Sequence, residues 1–496
     1  MNVFDYPRCR ASDLGLPIPD SPHACSMALP TWQSVIDYEE RVPEVIAALK
    51  SGYPRFVLNP LVVRLHEKVL ADEGAAGESA VLIFSDADAA ARCAAFVDER
   101  SSESGEMRVA GDRVFFRSEV SRKIALEYWR YAGDGVSSRA AEAMLEGTSI
   151  DREQAEHAQL SIRSAIANEH GVDAVDVVLV PSGMAAIATI HRAFQSLHED
   201  GRFVQVDFPY VDAMRVQRHF GARQSEMVIL DEAGEPSRDY YEMFADGRVA
   251  GVFVECPSNP LLRCADLQAL RDAAGDAIPI AFDDTVSTSR TVEVLPWADV
   301  ITTSLTKWWA GSGDIMAGAI VINPRGPQAE KIRGALNAAK PSSLCDADAV
   351  RLATLVGGFK ERVRKAGENA DRLLALLKAE DLVTKLWHPS VETVENFARI
   401  AKHDGPTTAL LSFRLAGGES VAARFYDALE LNKGPSLGTD FTLVCPYVLL
   451  AHYDELAWAE ELGAPRDLLR VSVGTEDWET IRSAFERAFA AAKNPV

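Results

Sequence analysis

Lys307 lies in Ser304-Leu-Thr-Lys307, where an apolar, β-branched run that suits a buried strand gives way to Trp308-Trp-Ala-Gly-Ser-Gly-Asp314. A lysine at a strand's exit, flanked by hydroxyls, can form a Schiff base with a carbonyl cofactor while Ser304 and Thr306 bind its phosphate. Other positions fit the same chemistry. Ser182, Gly183 and Met184 sit between a strand and a helix, where free backbone N–H groups and the helix dipole suit a phosphate. Asp283 ends the apolar run Ile278-Pro-Ile-Ala-Phe282, and a carboxylate buried there needs a partner. A protonated ring nitrogen would be one, and the pairing would make the ring an electron sink. Tyr210 follows another strand and can stack on an aromatic ring, and Asn259 can donate to a ring oxygen. Each has an ordinary alternative: a solvated loop lysine, a helix cap, an ion-paired aspartate, a packed tyrosine, a turn asparagine before proline. Their occurrence together, each at a strand's end, is what makes the set specific.

Such residues converge only if a sheet delivers them to one edge. From about residue 120, strands expected at 177–180, 203–207, 249–255, 278–283, 299–303 and 317–322 alternate with helical stretches. That alternation predicts a mainly parallel sheet covered on both faces, with ligands bound beyond the carboxyl ends of its strands. Beyond about 340, a helical region (346–378), a strand (408–415), a helix (418–429), a strand (468–474) and an amphipathic helix (476–491) read as a smaller α/β domain. Ahead of the large domain, residues 1–30 carry five prolines and read as an extended arm. A helix is expected at about 39–50, and Gly52-Tyr-Pro-Arg-Phe56 reads as a rigid turn. Residues 79–119 read as strand, helix, strand, turn and strand, an accessory unit without a catalytic grouping. The expected divisions are 1–119, 120–340 and 341–496.

Composition bounds the setting. The chain has 496 residues, too many for one core, with 47% hydrophobic and 25% charged residues. A net charge of -22 argues against nucleic acid as partner. Seven scattered cysteines without a C-x-x-C pair argue against a disulfide framework, and no metal site is expected. No apolar run reaches membrane-spanning length and no signal core is visible, so no membrane partner and a cytoplasmic location are expected.

Pro181-Ser-Gly-Met-Ala-Ala-Ile187, Glu255-Cys-Pro-Ser-Asn-Pro-Leu-Leu262, Phe282-Asp-Asp-Thr285 and Ser304-Leu-Thr-Lys307 closely resemble the pyridoxal-phosphate enzymes of Cys/Met metabolism. Leu469-Arg-Val-Ser-Val-Gly-Thr-Glu-Asp477 resembles that family's C-terminal signature. His23-Ala-Cys-Ser-Met-Ala-Leu-Pro-Thr-Trp32, Gly52-Tyr-Pro-Arg-Phe56 and Ser436-Leu-Gly-Thr-Asp-Phe-Thr-Leu-Val-Cys-Pro-Tyr447 resemble its long, fungal-type cystathionine γ-synthase branch. The resemblance implies a fold type I transferase: a large domain with a mainly parallel seven-stranded sheet, a smaller C-terminal α/β domain and an N-terminal extension. It implies pyridoxal 5'-phosphate as cofactor, held covalently by Lys307 and paired through its ring nitrogen with Asp283. Tyr210 would stack on the ring and assist amine exchange, and Gly183, Met184, Ser304 and Thr306 would hold the phosphate. Arg470 would clamp the substrate carboxylate, with Ser436 close by. Arg139 would reach the phosphate of a neighbouring subunit, making the enzyme a homodimer or homotetramer with shared sites.

The implied reaction is γ-replacement on an amino acid whose γ-carbon carries a leaving group, with a nucleophile as co-substrate. The donor would be an O-acyl homoserine or a sulfonium such as S-adenosylmethionine. A β- or γ-lyase of sulfur amino acids, a carbon–carbon-forming enzyme of specialised metabolism, and a non-catalytic scaffold are the alternatives. The sequence departs from the family in places. The family's Tyr-Ser-Arg is matched by Ser137-Ser-Arg139, without the tyrosine; its Asp-Asn-Thr is Asp283-Asp284-Thr285; its Tyr-Gly-Gly-Thr is Tyr210-Val-Asp-Ala213; and Trp308-Trp309 replaces Tyr-Leu after the lysine.

Overall fold

A computed structural model describes residues 2–101 and 106–493. Three sheets organise them. The first is antiparallel, in the order β1-β3-β2, from β1 (Ala80–Ile83), β2 (Met107–Ala110) and β3 (Arg113–Phe116).

The second sheet carries the chemistry. Its strands are β4 (Val177–Val180), β5 (Arg202–Val206), β6 (Ser225–Val228), β7 (Val249–Glu255), β8 (Ile280–Asp283), β9 (Val300–Ser304) and β10 (Gly318–Ile322). They lie in the order β4-β10-β9-β8-β7-β5-β6. Pairs from β9 to β6 are parallel, and β10 runs antiparallel to both its neighbours. The sequence explains this arrangement. Every residue of β7 is buried, as a near-continuous apolar run covered on both faces requires. One face packs on the helices Gly183–Leu197 and Ala329–Ala338, the other on Arg152–His170 and Leu267–Ala274. The expected strands agree with these within a residue or two. β6 escaped because Ser-Glu-Met-Val at a sheet edge has no apolar run, and only Val228 is buried.

The third sheet is β11 (Val383–Trp387), β12 (Leu410–Leu415), β13 (Asn432–Lys433), β14 (Leu443–Pro446) and β15 (Leu469–Ser472). Its order, β11-β12-β15-β14-β13, puts β15 in the centre, so Arg470 projects from a rigid, fully buried strand.

The N-terminal arm is extended but firmly attached. Leu29 N–H donates to the Lys433 carbonyl at 2.9 Å, and Cys25 N–H to that of Gly313 at 2.8 Å. Buried Lys433 donates to the carbonyls of Pro30 (2.9 Å) and Asp427 (3.0 Å). The helix expected at about 39–50 is instead two. Thr31 and Ser34 cap each other's backbone and start the helix Trp32–Glu39. Arg41, at φ 57°, breaks the chain direction, and Pro43 opens the helix Pro43–Ala48. The chain then crosses the carboxyl ends of the central sheet. Among the described residues, no helix is long and apolar enough to cross a membrane.

Candidate active site

A cavity of about 1070 Å³, counting its open mouth, lies at the carboxyl ends of the central strands. Ser182, Gly183, Met184, Tyr210, Asn259, Asp283, Ser304, Thr306, Lys307, Ser436 and Arg470 all line it. Of the residues singled out from sequence, Arg139 alone lies elsewhere. Its guanidinium bonds the carbonyl of Asp314 and the carboxylates of Asp314 (3.0 Å) and Asp348 (3.3 Å), tying the loop after Lys307 to the helix Asp346–Ala353.

Lys307 is buried, and its ammonium donates to Ser436 Oγ at 2.8 Å and to the Tyr53 hydroxyl at 3.2 Å. No carboxylate pairs with it among the described residues. Asp283 follows Phe282 out of the core and accepts the Thr285 N–H at 2.9 Å. Burial raises its pKa, against the pull of bonds from Thr285 and Thr302. Across the ladder from it stands Glu255, whose carboxyl accepts the Tyr210 N–H at 3.1 Å. Burial and the neighbouring Asp283 hold Glu255 far above the usual carboxylate range. Arg470 donates to Asn259 Oδ1 (3.1 Å) and to the Ser436 carbonyl (2.7 Å), and lies over the Tyr447 ring at 4.3 Å. Asn259 in turn donates to the Tyr447 hydroxyl at 3.1 Å, so its side chain positions the arginine.

Two residues of the wall were missed by the sequence reading. Tyr53 and Arg55 belong to the turn Gly52-Tyr-Pro-Arg-Phe56, more than 250 residues before Lys307 in the chain. Arg55 is buried, donates to the Tyr210 hydroxyl, and pairs with wholly buried Asp212 at 2.5 Å. Burial opposes ionisation of the Tyr53 phenol, but the Lys307 ammonium and the Arg55 guanidinium outweigh it and hold its pKa below the ordinary value. Burial pushes Tyr210 far upward despite Arg55. Tyr53-Pro-Arg55 has the spacing of the family's Tyr-Ser-Arg, whose tyrosine is absent at 137–139. The tyrosine missing there has a counterpart here.

The cavity fits pyridoxal phosphate. Asp283 is a half-buried carboxyl at the cavity wall with hydroxyl and amide partners but no cation, as a pyridinium N–H would require. The amides of Gly183 and Met184 open the helix Gly183–Leu197 without partners among the described residues, beside the Ser304 and Thr306 hydroxyls. A Cβ at Gly183 would fall 2.8 Å from that of Ser304, so this wall closes around its contents only with glycine.

The sequence matches the family model for Cys/Met metabolism PLP-dependent enzymes over residues 160–490. It is 30% identical to a cystathionine γ-synthase-like protein of Aspergillus thermomutatus, over 96% of this chain and 94% of that one. It is 32% identical to the L-2-amino-4-chloropent-4-enoate dechlorinase/desaturase of Streptantibioticus cattleyicolor, over 96% and 98%. The cystathionine γ-synthase of Xanthomonas oryzae pv. oryzae shares the fold, with a TM-score of 0.58 at 23% identity over 69% of this chain and 88% of that one. A cavity built to hold pyridoxal phosphate and full-length relatives at this identity lead to one conclusion: the chain belongs to the Cys/Met metabolism family of PLP-dependent enzymes.

Proposed function

We propose that the enzyme breaks the bond between the γ-carbon of an α-amino acid and its leaving group, and joins a nucleophile to that carbon. The observation that carries this reading is the Lys307 ammonium, bonded to two hydroxyls in the cavity that Arg470 also lines. When bound, pyridoxal phosphate supplies an electron sink that acidifies the α- and β-hydrogens of the amino acid. The chain's own residues do the rest. Arg470, aimed by Asn259, receives the substrate carboxylate as a bidentate partner. Asp283 holds the ring nitrogen protonated. Gly183, Met184, Ser304 and Thr306 take the phosphate, with Ser182 capping the helix behind them. Tyr210, fixed by Arg55, covers the ring.

Lys307 is the base at the α-carbon and then at the β-carbon, and Ser436 orients its amine. Tyr53 gives a proton to the departing group and takes one from the nucleophile, a role suited to a phenol whose pKa is drawn down by two cations. Within this chain Arg139 ties the loop after Lys307 to the helix Asp346–Ala353. Both relatives are compatible with γ-chemistry: the named substrate of the dechlorinase carries its chlorine on C4, the γ-carbon. The lyase alternative differs only in that no nucleophile adds.

Removal of a β-proton separates γ-chemistry from β-elimination and transamination. In heavy water, the enzyme should exchange both α- and β-hydrogens of an unreactive straight-chain amino acid. Complete α-exchange with no β-exchange would end the γ-reading. A thioether product from an O-acyl homoserine and a thiol would then decide for replacement over elimination.

A further inference from the structure

Lys307 and Ser436 meet from different sheets. Lys307 follows β9 of the central sheet, and Ser436 lies 129 residues further on, in the loop between β13 and β14 of the third. Ser436 also has φ 98°, a backbone conformation that L side chains rarely adopt and that only its surroundings can hold. The two segments run on side by side. Gly438 packs against the lysine so closely that a Cβ there would fall 2.8 Å from that of Lys307. Gly311 pairs with Thr439, and Asp440 N–H donates to the Gly311 carbonyl at 2.7 Å. One side chain then joins the segments. Arg362, on the helix Phe359–Ala379, is buried and does not line the cavity. Its Nη1 donates to the carbonyls of Trp308 (3.0 Å) and Trp309 (3.3 Å), which take no backbone N–H among the described residues. Its Nε donates to Asp440 Oδ1 at 2.5 Å. A Cβ at Gly311 would collide with that nitrogen, so the guanidinium fits only against glycine.

A base that moves protons at a substrate carbon has to be aimed, and a misplacement of about 1 Å can cost on the order of a hundredfold in rate. The stem of Lys307 is long and flexible, and its amine is aimed by Tyr53 and Ser436. Contact with Ser436 depends on the register of the turn after the lysine against the loop after the serine. We propose that Arg362 is a positioning residue: it clamps that turn to that loop and so keeps the amine and the hydroxyl in contact. Arginine suits the task because its planar fork reaches acceptors in both segments at fixed angles, which the single ammonium of lysine does not. Asp440 answers its charge from the side of the loop. The Ser26 hydroxyl holds the other flank of Ser436, through the Pro435 carbonyl. The inference rests on Lys307 as the base at the α-carbon, a role that the γ-replacement reading above shares with its alternatives.

The test is α-hydrogen exchange by the PLP-loaded enzyme in heavy water, with norvaline at saturation, and the Kd of norvaline read from the cofactor's absorbance. Arg362→Lys should slow exchange at least about tenfold while changing Kd by no more than about threefold, because Asn259 still holds Arg470. Ser436→Ala should slow exchange as well. Without the serine hydroxyl the clamp has nothing left to position, so adding Arg362→Lys to Ser436→Ala should cost no more than about a further threefold. A clamp that merely held the fold would slow both backgrounds equally. Asp440→Ala frees Nε and leaves both carbonyl bonds, at a side chain that is 34% exposed. It should show the same pattern at a smaller size, including where the lysine variant fails to load its cofactor. Exchange within about threefold of the parent in Arg362→Lys, equal losses in the two backgrounds, or failure of both variants to take up cofactor would overturn the proposal. Failure of the γ-replacement reading looks different: the parent then exchanges α-hydrogens alone, and the pattern among the variants is unchanged.

Discussion

The floor and the outer wall of the cavity are built on different principles. The floor consists of strand ends. Asp283 and Ser304 terminate adjacent strands of the central sheet and Lys307 follows three residues later, so a ladder that is buried on both faces fixes their spacing. The wall is a crossing segment. Tyr53 and Arg55 sit in a turn between helices and are held by side chains: Arg55 by Asp212 and Tyr210, Tyr53 by Lys307. Backbone ladders place the first set, and a small ionic network places the second. The floor should therefore tolerate loss of one functional group without losing its shape, whereas breaking the Arg55–Asp212 pair of the wall should cost shape and function together.

Replacing the base at the floor gives the largest effect on activity. Lys307→Ala should lower kcat by about a thousandfold or more, because it removes both covalent attachment and proton transfer. The fold should stay intact, since Lys307 has hydroxyl partners and no ion pair to orphan. Borohydride reduction of the parent should fix the cofactor on the peptide containing Lys307. A label on another lysine would break the distinction between floor and wall at its base.

Breaking the network at the wall should affect stability as well. Arg55 and Asp212 are both buried, and removing one partner of such a pair costs about 3–5 kcal/mol where the other charge is left uncompensated; Arg130, 3.2 Å from Asp212, keeps part of that compensation, so the loss of Arg55 should cost less than this. Arg55→Ala should lower the melting temperature clearly and reduce activity, whereas Arg55→Ala with Asp212→Ala should be less destabilised than the sum of the single variants. Additive losses in the cycle would mean that the wall is held by something other than this pair.

Tyr53→Phe keeps the ring and removes the phenol. A fall in kcat of about ten- to a hundredfold is expected, with little change in melting temperature. The pH profile is the sharper measurement. Tyr53 ionises below its ordinary value because Lys307 and Arg55 face it. The parent's kcat/KM should carry an ionisation that Tyr53→Phe lacks. Identical profiles would remove the phenol from the proton path.

The same contrast explains what the sequence disclosed. Asp283, Lys307 and the Ser182–Met184 loop were legible because each ends an apolar run, and a run's end predicts a position on the sheet. The central sheet was readable for the same reason, save β6, which lies at an edge and has only Val228 buried. Arg470 came from the family resemblance. Tyr53 and Arg55 lie in a stretch with no periodicity, and their hydrogen-bond partners across the fold are 75 to 254 residues away in sequence. Nothing local shows where such a segment docks. The helix Trp32–Glu39 was misplaced because its start is set by the reciprocal Thr31–Ser34 cap and not by an apolar run.

One residue at the floor follows the logic of neither region. Asp284 stands where the family has asparagine, is buried, and does not line the cavity. His170 lies 3.5 Å away but offers no charge, since burial, helped by Lys402, lowers its pKa to about 3. Burial raises Asp284 to about 7; the Thr303 hydroxyl and Lys402 pull against the shift and Asp283 adds to it. A carboxyl whose pKa is raised in the folded state contributes stability below its ordinary value of 3.8, and that contribution is lost as the pH climbs to about 7. Asparagine has no proton to lose. Asp284→Asn should therefore match the parent near pH 4 and exceed it increasingly up to about pH 7, with a constant margin above. At about 1.4 kcal/mol per unit, that margin has an upper bound of roughly 4 kcal/mol. Activity should change by no more than about threefold, because Asp283 keeps its own hydrogen bonds. Chemical unfolding followed by circular dichroism across this range decides the matter. Parallel stability curves for the two proteins would show that Asp284 is solvated or paired in the folded state, and a large loss of activity would move it from the support of the floor into the site itself.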